Sequence, residues 1–176
     1  MSLYPLLSAS PVIQIHAYAA IAAFVLGAFV LFEKKGGKRH KALGRLWVGL
    51  MVIAAASSLF IWVIRTWGLF SPIHVISVVT LAGLWRAVTH ARARNIAAHR
   101  ALMRNLYLGA LVIAGVFTFY PGRIMNRVVF GSDGASPQEW VVFAAVLLAL
   151  GACAFVIANR RWLVSNLVHP AKPEGL

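Results

Sequence analysis

The sequence predicts an all-α integral membrane protein. Five transmembrane helices are expected, four of them forming a pseudo-twofold antiparallel bundle of two parallel-repeat hairpins, with one peripheral helix. Three observations predict this. Five stretches of about 19–21 mostly apolar residues are each long enough to cross a hydrocarbon core of ~30 Å. The 176 residues are 61% hydrophobic and 12% charged, and four carboxylates (Glu33, Asp133, Glu139, Glu174) cannot solubilise so apolar a chain. One short pattern occurs twice: residues 40–45 read HKALGR and residues 99–104 read HRALMR, each running into a similar apolar stretch.

The elements follow in order. Residues 1–11 form a short outer tail, with Pro11 suited to the first turn of a helix. The first span is expected at about 12–32. It carries Ala19, Ala20, Ala23 and Gly27 as a stripe of small residues that lets a neighbouring helix approach closely. It lacks a basic n-region, so no cleavable signal peptide is expected. The span stops at EKKGGKRHK, where Glu33 most simply pairs with the adjacent lysines.

The second span is expected at about 42–64. Ser57 and Ser58 lie within it, and Trp62 and Trp67 serve as interfacial anchors at its far end. Pro72 opens the third span, at about 72–90, which carries His74, Ser77, Thr80 and a snorkelling Arg86. The fourth span is expected at about 101–120 and ends where Pro121 and Gly122 break the helix. Residues 121–139 form the outer loop, in which IMNRVVF is a candidate short interfacial helix and GSDG and SP carry turn chemistry. The fifth span is expected at 140–158, and 159–176 form a basic cytoplasmic tail. The four-span core is 12–120, with repeats at 12–66 and 72–120.

Of the 17 lysines and arginines, all but Arg65, Arg123 and Arg127 lie on the side of the first and third connections and the C-terminal tail, with Arg45, Arg86 and Arg104 at the span ends that meet it. The positive-inside rule then places the N-terminus outside and the C-terminus in the cytoplasm. The expected location is a bacterial inner membrane, with anionic lipids meeting the basic cytoplasmic side. The net charge of +13 does not indicate nucleic acid, because the charges flank apolar spans rather than coating one soluble face. Cys153 is the only cysteine and is read as packing.

The duplication bears on the histidines. A His precedes each copy of the repeat at nearly equal spacing, His16 before His40 and His74 before His99. A twofold axis along the membrane normal would bring His16 and His74 to one depth near the outer face, and His40 and His99 to one depth near the inner face. Ionisable residues inside a span are costly and mark sites. Neutral imidazole is a good ligand of metals and haem iron, so His16 and His74 are the candidate metal-ligating pair, for haem b. The bland alternative is that each imidazole merely hydrogen-bonds a neighbouring helix or a head group.

His40 and His99 read first as helix-start residues beside phosphate head groups. From His16 to the end of its span is about 24 Å, which puts His40 at the boundary. Their functional reading is a second haem or a quinone head group, with Arg45 and Arg104 as anion partners because Arg binds such groups bidentately. His90 and His169 read as interfacial surface residues, and Met103 as packing. No H-E-x-x-H, C-x-x-C, G-x-S-x-G or Walker A pattern occurs, and the scarcity of carboxylates argues against hydrolysis by a carboxylate pair.

Several stretches together resemble a family of bacterial multi-pass membrane proteins catalogued as a domain of unknown function. They are IHAYAAIAAFVLGAF, RHKALGRLWVGLMV, FSPIHVISVVTL, ARNIAAHRALMRNLYLGALVIAGVFTFYPGR and NRVVFG, over roughly residues 12–131. The resemblance implies a membrane protein and no established activity. The architecture is also similar to small membrane cytochromes b, four-helix cores with His-ligated haems. This chain departs from that pattern in holding its inner histidines at the loop ends.

The leading expectation is a redox protein of cytochrome b type that carries electrons between quinol and an outer or complex-bound acceptor. The runner-up is a non-catalytic accessory subunit of a larger membrane complex, respiratory or photosynthetic. A carrier would show an intramembrane polar pathway or broken helices, and the sequence offers little of either.

Overall fold

A computed structural model describes residues 2–62 and 72–149. All the described regular structure is helical. The helices are α1 (Tyr4–Leu7), α2 (Pro11–Phe32), α3 (Lys38–Ser58), α4 (Pro72–Arg92), α5 (Ile96–Thr118), α6 (Ile124–Phe130) and α7 (Pro137–Ala149). Among the described residues, α2 to α5 are long and apolar enough to cross a membrane, and α7 is a shorter apolar helix. Trp67, Cys153 and His169 lie outside the described residues, as do the far ends of the second and fifth expected spans.

Local chemistry sets the ends of each helix. Pro11 opens α2 directly after an extended Ser10. At the other end Lys35 Nζ donates to the carbonyls of Val30 and Leu31, at 2.9 and 2.5 Å. This satisfies two acceptors that a helix C-terminus leaves open, with a cation at the negative end of the dipole. Glu33 faces Arg39 at 3.6 Å instead of a lysine. Gly36 follows in the left-handed region, at φ 84°, and Gly37 is the N-cap of α3.

Two helices begin earlier than their apolar stretches do. Helix α3 takes in Lys38–Lys41 because straight-chain basic residues are good helix formers outside the hydrocarbon as well. Helix α5 starts at Ile96, where the Asn95 side chain accepts the Ala98 N–H at 3.2 Å. The tight turn before it holds Arg94 at φ 60°. Within α5, Tyr107–Ile113 is π-helical, a widened stretch with no counterpart in α3.

Helix α2 packs mainly on α3, α4 on α5, and α3 against α4. Ala19, Ala23 and Gly27 form the buried face of α2, as the small-residue stripe predicts. The interior is filled by Ala23, Trp47, Met51, Leu84, Ala87, Leu106, Tyr107 and Leu111. Trp47 Nε1 donates to Ala23 O at 2.9 Å, and the Tyr107 hydroxyl donates to Phe24 O at 3.2 Å. Both rings close over Gly27: a Cβ there would lie 2.5 Å from Trp47 Nε1 and 2.7 Å from Tyr107 Cδ2. Gly83 plays a similar part on α4, where a Cβ would lie 2.9 Å from Leu106 Cδ2. Phe24, Val25 and Phe29 on α2, with Val75, Val79 and Trp85 on α4, face outward. That is the solvation expected when the solvent is hydrocarbon.

At the end of the bundle remote from the lysines, α6 and α7 fold over the loop. Asn126 is fully buried there; its Nδ2 donates to Phe119 O at 2.8 Å and its Oδ1 accepts from Ala135 N at 2.9 Å. Phe143 stacks edge-on against Phe119 and Phe130. Ser136 and Glu139 cap the start of α7 reciprocally, Ser136 N to Glu139 Oε2 at 2.7 Å and Glu139 N to Ser136 Oγ at 3.3 Å.

Candidate functional site

The histidines divide between the two ends of the bundle. At the end remote from the lysines, His16 projects from the second turn of α2 onto α3. Its Nδ1 lies 2.8 Å from Ala54 O. A carbonyl only accepts, so Nδ1 carries the proton and Nε2 holds the lone pair. Ser57 Oγ lies 3.5 Å from the same Nδ1 and donates to the Ile53 and Ala54 carbonyls. The ring is therefore fixed in orientation and tautomer by the main chain of α3.

His74 sits in the first turn of α4 and is 5% exposed. Its ring lies 5.2 Å from that of Trp62, tilted by 40°. Both line a groove of about 410 Å³ together with Leu59, Val75, Val78 and Val79. Imidazole apart, the lining is hydrocarbon and indole. One turn further along α4, Ser77 Oγ bonds Ser58 Oγ at 2.5 Å and joins α4 to α3. His16 and His74 thus flank the same end of α3, one against Ala54 and Ser57, the other beside Leu59 and Trp62.

At the basic end, His40 and His99 open α3 and α5. His99 Nδ1 donates to Ala87 O at 2.8 Å, which fixes its tautomer as at His16. His40 Nδ1 is shielded from solvent and makes no hydrogen bond. His40 lies near Lys35, His99 and Glu33, so the two histidines of the repeated pattern stand at one end of the bundle. Partial burial, and then the Arg100 guanidinium, push the Lys35 ammonium below its ordinary range.

The remaining expected residues lie on α3 and α5. Arg45 is exposed on α3, and Arg104 is half-buried on α5. Met103 packs against the core cluster, as expected. Among the described residues no group of three or more His, Cys, Asp or Glu side chains is placed to hold a metal ion. The bond of His16 to a neighbouring helix is the contact named above as the bland alternative, but its acceptor, Ala54 O, lies 38 positions away and leaves no local signal. Sequence reasoning missed Trp47 and Tyr107 as interior donors. Their wide separation in sequence from Gly27, which they cover, hides the relation.

The profile of a family described as predicted membrane protein, DUF2306, matches residues 13–157. No curated protein and no solved structure matches the chain.

Proposed function

The chain belongs to the predicted membrane protein family DUF2306, and from that premise we propose that it is a membrane redox protein of cytochrome b type, with His16 and His74 as the residues that would hold a haem b. The observation that carries this reading is the Nδ1–H bond of His16 to Ala54 O. Ligating imidazoles characteristically donate their second ring N–H to a carbonyl or carboxylate, which fixes the ring and raises the basicity of the ligating nitrogen. The lone pair on Nε2 is the donor such a group requires. The surroundings of His74 suit the same purpose: a groove of about 410 Å³ is within the usual ~300–1,000 Å³ of cofactor and ligand pockets, and its apolar walls match a macrocycle.

When bound, haem supplies one-electron chemistry between quinol and an outer or complex-bound acceptor. The chain's own residues supply position and dielectric. Ala54 O and Ser57 hold the His16 ring. Trp62 supports the His74 ring, and Val75, Val78 and Val79 keep water from it. Low polarity and limited solvent access are among the means by which a protein tunes a haem potential. In the same reading the chain has a fifth span, the two hairpins are related by a pseudo-twofold axis, and the basic end lies in the cytoplasm of a bacterial inner membrane.

The test is a visible spectrum of the full chain purified from haem-replete cells. A Soret band that disappears in His16→Ala and in His74→Ala is the expected result. A colourless wild-type protein overturns the reading. If that colourless protein co-purifies with a larger complex in mild detergent, the accessory-subunit alternative takes its place.

A further inference from the structure

We propose that Lys35, His40 and Arg100, beside His99, form a binding site for a phosphate anion, presented by an anionic phospholipid head group. The site stands apart from the His16 and His74 pair, and the argument for it does not depend on haem.

The placement comes from the fold. Helix α2 ends at Phe32, and α3 and α5 begin at Lys38 and Ile96. Lys35, His40, His99 and Arg100 are therefore at the level where the apolar spans give way to head groups. Lys35 is held there by its bonds to the Val30 and Leu31 carbonyls. His99 is held by Ala87 O. These side chains do not drift apart as free surface lysines do, so the entropy of gathering them is spent in folding rather than in binding.

The charge balance is uneven. Among the described residues Glu33 is the one carboxylate acting on this cluster, and it already faces Arg39 at 3.6 Å. Lys35 is held below its ordinary range first by partial burial and only then by the like charge of Arg100. His40 Nδ1 is a shielded ring nitrogen that no group among the described residues satisfies. A buried polar atom left without a partner costs free energy. A phosphate oxygen would relieve both the repulsion and the missing bond. Basic pockets between spans on one side of a membrane are recognised sites for lipid phosphates. The sidedness of the 17 basic residues puts this cluster on the side where such lipids accumulate.

The full chain in detergent, titrated with phosphatidylglycerol and followed by native mass spectrometry, tests this. Phosphatidylglycerol should bind in preference to phosphatidylcholine. Each basic residue near a charged membrane surface contributes a factor of about five. Arg100→Gln should therefore weaken the first bound phosphatidylglycerol about fivefold, and Lys35→Met with Arg100→Gln about 25-fold. Arg100→Lys should keep the affinity, which separates loss of charge from loss of fold. Arg94→Gln removes the same charge from the neighbouring turn and should bind as wild type. Inorganic phosphate that competes with the lipid in an Arg100-dependent way would identify free phosphate as the source of the same anion. Equal binding of the two lipids, or an Arg94→Gln effect as large as that of Arg100→Gln, overturns the site.

Discussion

Gly27→Ala adds one carbon to the tightest contact in the bundle. The new Cβ would lie 2.5 Å from Trp47 Nε1 and 2.7 Å from two carbons of the Tyr107 ring. Both rings are buried, and each is tethered by a hydrogen bond to the main chain of α2, to Ala23 O and Phe24 O. Neither can withdraw without losing its bond. Overpacking by a methyl-sized group costs about 2 kcal/mol, and the two lost bonds cost about 1 kcal/mol each. Replacing a helical Gly by Ala returns about 1 kcal/mol. The expected net loss is about 3 kcal/mol. The assay is unfolding in mixed micelles of rising SDS content, followed by far-UV circular dichroism. Gly49→Ala is the control: nothing lies within 4 Å of its Cβ, so it should be up to about 1 kcal/mol more stable than wild type. Adding Trp47→Phe to Gly27→Ala removes the nearest atom and should cost less than the two single changes summed. A Gly27→Ala protein as stable as Gly49→Ala would refute the argument that this glycine is there for close approach.

Two further outcomes are expected from the opposite end of the molecule. Asn126→Ala leaves Phe119 O and Ala135 N buried without their partner, and should cost about 3 kcal/mol and open the loop before α7 to limited proteolysis; unchanged cleavage would contradict this. The exposed Glu139 carboxyl is held below its ordinary range, first by the Ser136 backbone N–H and then by the Ser136 hydroxyl. A group with a depressed folded pKa contributes stability above its unfolded pKa and loses it as pH falls through the folded one. The cap should therefore weaken only below about pH 4. An amide-exchange profile of α7 that stays flat from neutral to acid pH, or the same acid step in Glu139→Gln, would count against it.

The amino-acid sequence by itself determined the solvent, four of the five expected apolar spans and the basic end. Hydropathy and charge act locally, so the positions of α2 and α4 and the buried stripe of Ala19, Ala23 and Gly27 were legible from composition and spacing. The chain also carried legible signals that apolar periodicity overrode. Asn95 before α5 and the Ser136-x-x-Glu139 cap of α7 both announce helix starts several residues ahead of the hydrophobic run. Tertiary structure alone decided which groups meet. The repeated pattern aligns His40 with His99, and the fold sets both among the cations of one end. Only the packing of α2 on α3 gives His16 its carbonyl partner at Ala54, and only α5 brings the Tyr107 ring over Gly27. Those pairings join residues far apart in the chain. They depend on helix rotation and approach distance, which a periodicity of 3.6 residues constrains for each helix separately and not between helices.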